Sequence, residues 1–231
     1  MNTSTDKPFR VLFEDQHLLV LSKAAGLLSQ SDASGEPSLV DLLRIHFGRN
    51  YVGLIHRLDR NTSGLMIVAK RSKSADRLSE QLKEGSLVRH YHAILHGTLT
   101  GEKRWEHSLL KNEKTNEVDV VTENTPGAKK AALKVITLKN FAHPETGDSL
   151  TLARFELETG RSHQIRVQSA ASGHALIGDR KYANVKIAAL FSRPALHSAF
   201  ISFEHPMTHE QLSFEERYAV DMLEIFSTAL E

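Results

Sequence analysis

The sequence has no cysteine. That excludes disulfides, thiolate nucleophiles, Cys-ligated zinc and iron–sulfur clusters together. It also lacks any long hydrophobic run. The longest apolar stretches, such as Leu18–Leu21 and Leu65–Ala69, fall far short of the roughly 18–20 residues that cross a bilayer. Met1–Pro8 is polar and has no apolar segment of the signal-peptide kind, so no secretory leader and a cytoplasmic protein are expected. Tryptophan occurs once and proline six times in 231 residues. What is present, 40% hydrophobic and 25% charged residues, fits a globular chain and excludes collagen-like, disordered and low-complexity classes. The length can bury a core without covalent staples. With no internal repeat and no linker, one domain spanning residues 1–231 is expected.

Charge is balanced overall, 29 basic against 28 acidic residues, but unevenly distributed. Residues 51–99 carry eight Lys/Arg against four Asp/Glu, and residues 151–200 seven against three. Residues 201–231 carry one against seven. Two basic segments and an acidic end suit a protein that meets a polyanion on one side. The alternative is a set of solvated faces.

Apolar periodicity predicts strands at Phe9–Phe13, Leu18–Ser22, Val52–Ile55, Leu65–Ala69, Tyr91–Leu95, Ala131–Leu138, Leu150–Glu158 and Leu196–Phe203. Helices are expected after Ser38, ending at Gly48; over Ser72–Leu82, with Ser72 as cap; over Ser162–Ala171, with Ser162 as cap; and over Glu215–Leu230. The polar stretch Gly101–Gly127 reads as an exposed hairpin or insertion. Many strands and few helices predict an α+β fold, a sheet with helices packed on it.

Three segments carry chemistry. In His56-Arg57-Leu58-Asp59-Arg60-Asn61-Thr62-Ser63-Gly64, a carboxylate lies between two arginines on a loop bracketed by strands. Neighbouring positive charge favours an ionised Asp59, able to act as nucleophile or base. The alternative is an aspartate that only pairs with an arginine. In Thr159-Gly160-Arg161-Ser162-His163-Gln164-Ile165-Arg166-Val167, Arg161, His163 and Gln164 crowd a helix start, where backbone N–H groups attract anions. Arg166 falls one turn beyond Ser162. The alternative is a polar first turn with Ile165 and Val167 in the core. In Arg89-His90-Tyr91-His92-Ala93, strand alternation sets Tyr91 opposite His90 and His92. Tyr91 can pack in the core or stack on a base. No further ligand spacing supports a metal at His90-x-His92, so no metal site is expected. His205 and His209 read as surface residues.

The run His56–Lys70, H-R-L-D-R-N-T-S-G-L-M-I-V-A-K, resembles the signature of the RluA family of RNA pseudouridine synthases. Val20–Leu28, Arg89–Ala93, Thr159–Val167 with Gly173-His174 and Gly178-Asp179, and Leu196–Ser198 with Phe203–Pro206 resemble further segments of that family in the same order. Two positions depart from its usual pattern, Ala24 for proline and Gln168 for histidine. Neither touches the proposed catalytic groups. The resemblance implies a pseudouridine-synthase catalytic fold, with a mixed, largely antiparallel sheet and flanking helices; the S4 RNA-binding domain that many relatives carry ahead of it is expected to be absent, a departure that bears on RNA docking rather than on chemistry. It implies isomerisation of uridine in structured RNA, ribosomal RNA being favoured over tRNA, with no cofactor and no metal.

By the same resemblance, Asp59 is the catalytic carboxylate, either attacking the substrate or taking a proton from the sugar. Arg166 pairs with Asp59, and Tyr91 stacks on the target uracil or serves as a base near C5, a role in which a phenol of reference pKa ~10 needs help. Arg57 fills the gap left by a flipped base. Ile165 walls the base. Arg60, Arg161, His163 and Gln164 complete the candidate substrate-binding set, with Lys70, Arg71 and Lys73 as further phosphate contacts. A monomer is expected.

Other classes fit less well. A protein kinase is opposed by the inserted Leu58 and by the lack of a Gly-rich loop. A glycosidase needs two paired carboxylates, and the signature offers one. A non-catalytic RNA-binding module would keep the basic segments but would not need Asp59, Tyr91 and Arg166 together.

Overall fold

The computed structural model describes residues 8–226. In chain order the described elements are β1 (Phe9–Glu14), β2 (Leu18–Lys23), α1 (Leu39–Phe47), β3 (Gly53–Leu54), β4 (Ser63–Ala69), α2 (Ser72–Glu84), β5 (Val88–His96), β6 (Glu102–Asn112), β7 (Glu117–Val121), β8 (Lys129–Ala142), β9 (Ser149–Leu157), α3 (Gln164–Ala171), α4 (Val185–Ala189), β10 (Leu196–Glu204), β11 (Gln211–Glu215) and α5 (Val220–Phe226). This is the expected α+β class, a mixed, mostly antiparallel sheet with five helices among the described residues. The chain divides into two compact units. One comprises residues up to Arg89 together with Ser198–Arg217; the other comprises His90–His197 together with the residues from Tyr218 onward.

In the first unit the strand order is β1-β2-β4-β10, with β3 paired to β4 and β11 to β10. Both β2 and β4 are continuous apolar runs rather than alternating ones, and β4 is buried along its whole length. A run of that kind has both faces covered. Leu18, Val20, Leu65, Ile67, Leu78 of α2, Ile201 and Phe203 form one core cluster. Each such side chain contributes about 2 kcal/mol of burial. Ser38 caps α1 as expected: its hydroxyl accepts from Asp41 N–H, the Asp41 carboxylate accepts from Ser38 N–H, and Gly48 closes the helix at φ 62°.

In the second unit the order is β5-β9-β8-β6-β7, antiparallel throughout. The polar 101–127 segment is the β6–β7 hairpin, and β6 also pairs with β8. Ile94, Leu150, Leu152, Ile177, Ala195, Met222 and Phe226 form one core cluster. Leu109, Val118, Ala131 and Val167, with Tyr182 against them, form another.

Several sequence expectations need correction. Ser72 does not cap α2; it lies inside the helix, and Arg71 holds the cap position without a side-chain bond. Ser162 does not cap α3. His163 takes that position at φ 50°, and the Gln164 side chain folds back to accept from Arg161 N–H. The expected strand at Val52–Ile55 is reduced to Gly53–Leu54. Glu215 ends a strand, and the C-terminal helix begins at Val220. The part of that helix expected over residues 227–230 lies outside the described residues. His205 is buried, not superficial: Asp15 Oδ2 lies 2.9 Å from its Nε2, and its Nδ1 accepts from Met207 and Thr208 N–H. His209 is exposed as expected.

Candidate active site

The loop carrying Asp59 belongs to the first unit and is anchored residue by residue. His56 is buried, and its Nε2 accepts from Ile67 N–H at 3.3 Å. Burial, aided by the charge of Arg89, holds this imidazole neutral and lowers its pKa to about 3. Leu58 is buried, and its backbone is clasped by Ser29: Leu58 N–H donates to the hydroxyl at 3.2 Å, and the hydroxyl donates to Leu58 O at 2.7 Å. Lys23 is fully buried, with Nζ donating to the carbonyls of Ala24, Leu27 and Arg60 at 2.9, 2.8 and 3.0 Å. Thr62 N–H closes the turn onto Asp59 O at 3.0 Å.

Gly64 follows at φ 108°, and a Cβ there would fall on the backbone of Ser198. Only glycine fits that approach. In the space between these anchors Arg57 is exposed and Asp59 is half-buried.

Sequence adjacency suggested that Arg57 and Arg60 both bathe Asp59 in positive charge. The structure places Arg60 otherwise. Its guanidinium grips Glu36 through two bonds, of 2.9 and 2.5 Å, and its Nε donates to Gly26 O. Among the further phosphate candidates, Lys70 donates to Glu14 and to Asp15 O, both at 2.6 Å, and Arg71 Nε donates to Gln16 O.

The second unit holds the other candidates. Tyr91 lies on β5, paired with Phe155 of β9, and is 5% exposed. Arg166 on α3 makes a two-pronged ion pair with Asp179: Nε to Oδ2 at 2.7 Å and Nη2 to Oδ1 at 2.8 Å. The Asp179 side chain is 1% exposed and that of Arg166 11%. Oδ1 also accepts from Lys181 and Tyr182 N–H. The Arg166 guanidinium carbon lies 5.1 Å from the centre of the Tyr182 ring.

Ile165 is buried. Gln164 is buried as well, and its amide is spent internally: Oε1 accepts from Thr159 Oγ1 and Arg161 N–H, and Nε2 donates to Ala132 O. His163 Nδ1 lies 2.7 Å from the Tyr182 hydroxyl. Arg161 is exposed, with Nε donating to Lys130 O. Gln168 is fully buried, with Nε2 beside Trp105 O, Ala131 O and His107 Nδ1. That departure from the family pattern therefore bears on how α3 seats against β6 and β8.

Four contributors escaped the sequence reading: Lys23, Ser29, Asp179 and Tyr182. Lys23 and Asp179 stand in quoted motifs, but nothing in local periodicity tells that an ammonium ties a loop 37 residues away, or that a carboxylate 13 residues on holds an arginine. No group of three or more His, Asp or Glu side chains that could hold a metal occurs among the described residues. Nor is any described helix long and apolar enough to cross a membrane.

The first unit thus presents a carboxylate on an anchored loop, and the second holds a half-buried arginine against another carboxylate. The sequence pattern of the RNA pseudouridylate synthases matches residues 17–171. The chain is 32% identical to a protein of Zymomonas mobilis named ribosomal large subunit pseudouridine synthase D, over 97% of this chain and 74% of that one. It is 33% identical to an RNA pseudouridine synthase of Bacillus subtilis, YhcT, over 94% and 71% respectively. The structure of human RNA pseudouridylate synthase domain containing 1 shares its fold, with a TM-score of 0.75 at 22% identity over 94% of this chain and 86% of that one. The chain belongs to the RluA family of RNA pseudouridine synthases and is an isomerase.

Proposed function

We propose that this enzyme acts as a cytoplasmic monomer on specific uridines of structured RNA, ribosomal RNA in preference to tRNA, with Asp59 as its catalytic carboxylate. In the isomerisation the bond from uracil N1 to C1′ breaks, the base turns, and C5 bonds to C1′. The proton on C5 is released, and N1 ends protonated. Arg166 is assigned to orient Asp59, Tyr91 to stack on the uracil, and Ile165 to wall it. Arg57 fills the vacated stack. Arg60, Arg161 and His163 serve RNA binding, and Gln164 supports that segment from within. The two units form one catalytic domain in this reading.

The observation that carries it is the Asp59 loop. His56, Leu58 and Thr62 are buried around it, while Arg57 is exposed and Asp59 only half-buried. A rigid backbone presenting one carboxylate and one arginine suits a reaction needing a positioned anionic group. The preference for ribosomal RNA is supported by the name of the Zymomonas relative.

The test is tritium release from RNA labelled at uracil C5, with wild type and Asp59→Asn compared on the same RNA. Release by wild type alone, with RNA binding kept by the variant, is expected. Release by Asp59→Asn at the wild-type rate would remove Asp59 from the chemistry. The phosphate contacts are checked by salt: RNA affinity should fall steeply as salt rises, and a flat response would remove them.

A further inference from the structure

Tyr182 makes three contacts at once, two with α3 and one with β7. Its ring lies under the guanidinium of Arg166, 5.1 Å from centroid to carbon. Its hydroxyl lies 2.7 Å from Nδ1 of His163, the residue that opens α3. The same hydroxyl accepts from Val118 N–H of β7 at 3.0 Å. With Val118 N–H donating to it, the hydroxyl oxygen accepts there while its O–H is directed at His163 Nδ1. The backbone of Tyr182 is held too, since its N–H donates to Asp179 Oδ1, on the carboxylate that pairs with Arg166. Neighbouring Lys181 Nζ donates to the carbonyls of Thr115 and Asn116 at the tip of the β6–β7 hairpin.

An ion pair alone fixes the guanidinium in the plane of the carboxylate. It leaves tilting about that plane soft. A ring beneath the guanidinium resists the tilt, because the electron-rich face attracts the cation. We propose that Tyr182 is a positioning residue of the reaction. It acts through Arg166 by its ring, and by its hydroxyl it fastens the β6–β7 hairpin to the start of α3. The proposal rests on Arg166 orienting the catalytic carboxylate. The competing role is plain filling of the cluster formed by Leu109, Val118, Ala131 and Val167.

Ring fluorination separates the two roles, because it withdraws charge from the ring face while keeping its shape. Tyr182→Phe and Tyr182→pentafluorophenylalanine are made in the full chain, with Arg166→Ala alongside. Turnover is measured on uridine-labelled RNA at saturating and at low concentration. The expected result is a fall in kcat of about three- to tenfold from the phenylalanine to the fluorinated variant, with KM unchanged. The Val118 amide should exchange hydrogen faster in Tyr182→Phe than in wild type.

Equal kcat for the two ring variants, with Arg166→Ala inactive, would overturn the ring's role and leave the reading of Arg166 standing. Wild-type turnover by Arg166→Ala would overturn that reading and the proposal with it. Unchanged exchange at Val118 would overturn the role of the hydroxyl. Should Tyr182→Phe fail to fold, 3-fluorotyrosine at position 182 weakens the ring with the hydroxyl kept, and a wild-type kcat there would equally overturn the ring's role.

Discussion

The loop around Asp59 and the helix carrying Arg166 hold their polar groups by different means. Around Asp59 the work falls to neutral side chains, to backbone carbonyls gathered by one ammonium and, at the exposed edge, to the pair of Arg60 with Glu36. Ser29 clasps Leu58, His56 accepts from Ile67, and the buried Lys23 ammonium gathers the carbonyls of Ala24, Leu27 and Arg60. Around Arg166 the work falls to charge, in a two-pronged pair with a carboxylate that is 1% exposed. Carbonyls can grip a loop wherever its backbone runs, so they shape a turn. A buried ion pair aligns one side chain and exacts a high penalty when halved.

That contrast can be broken, and the largest effect is expected at Asp179. Asp179→Ala removes the buried carboxylate that grips the Arg166 guanidinium through two bonds, at a cost of about 4 kcal/mol. Chemical denaturation should show this as a lowered midpoint at unchanged slope. A loss under about 1 kcal/mol would mean that the pair is solvent-relaxed and that the contrast fails.

Next comes Lys23→Met, which keeps the apolar stem and removes the ammonium. The carbonyls it served lose a charged donor, and a loss of about 3 kcal/mol is expected by the same measurement. If Lys23→Met proves costlier than Asp179→Ala, the Asp59 loop is the charge-dependent region and the comparison reverses.

The smallest effect concerns acid. His56 titrates at 6.5 when unfolded and at about 3 when folded, so the native state binds fewer protons than the unfolded one between those values. Stability from this group is complete above pH 6.5 and is lost as pH falls towards 3. The loss between pH 6.5 and 5 should be about 2 kcal/mol. His56→Gln should flatten that part of the stability curve relative to wild type. A curve of equal slope would mean that the imidazole is not held neutral by burial.

How much was legible in advance follows from what each feature depends on. Strands such as Leu65–Ala69 and the capped helix after Ser38 are written in local apolar pattern and local bonding, and they stand where expected. The α3 cap was misread because Gln164, not Ser162, satisfies the chain end there, and that bond requires Gln164 to be buried against Ala132. Arg60 was misread for a similar reason: two residues adjacent in sequence need not share a partner, and Glu36 reaches it from a loop 24 residues earlier.

By itself, the sequence determined the α+β class, the family and the loop, strand and helix on which Asp59, Tyr91 and Arg166 sit, because those rest on short-range pattern and on motif. Only the tertiary structure decided which groups hold them. Asp179, Tyr182, Lys23 and Ser29 act across 13 to 37 residues of chain, and no local periodicity encodes a contact that exists only once the backbone has folded back on itself.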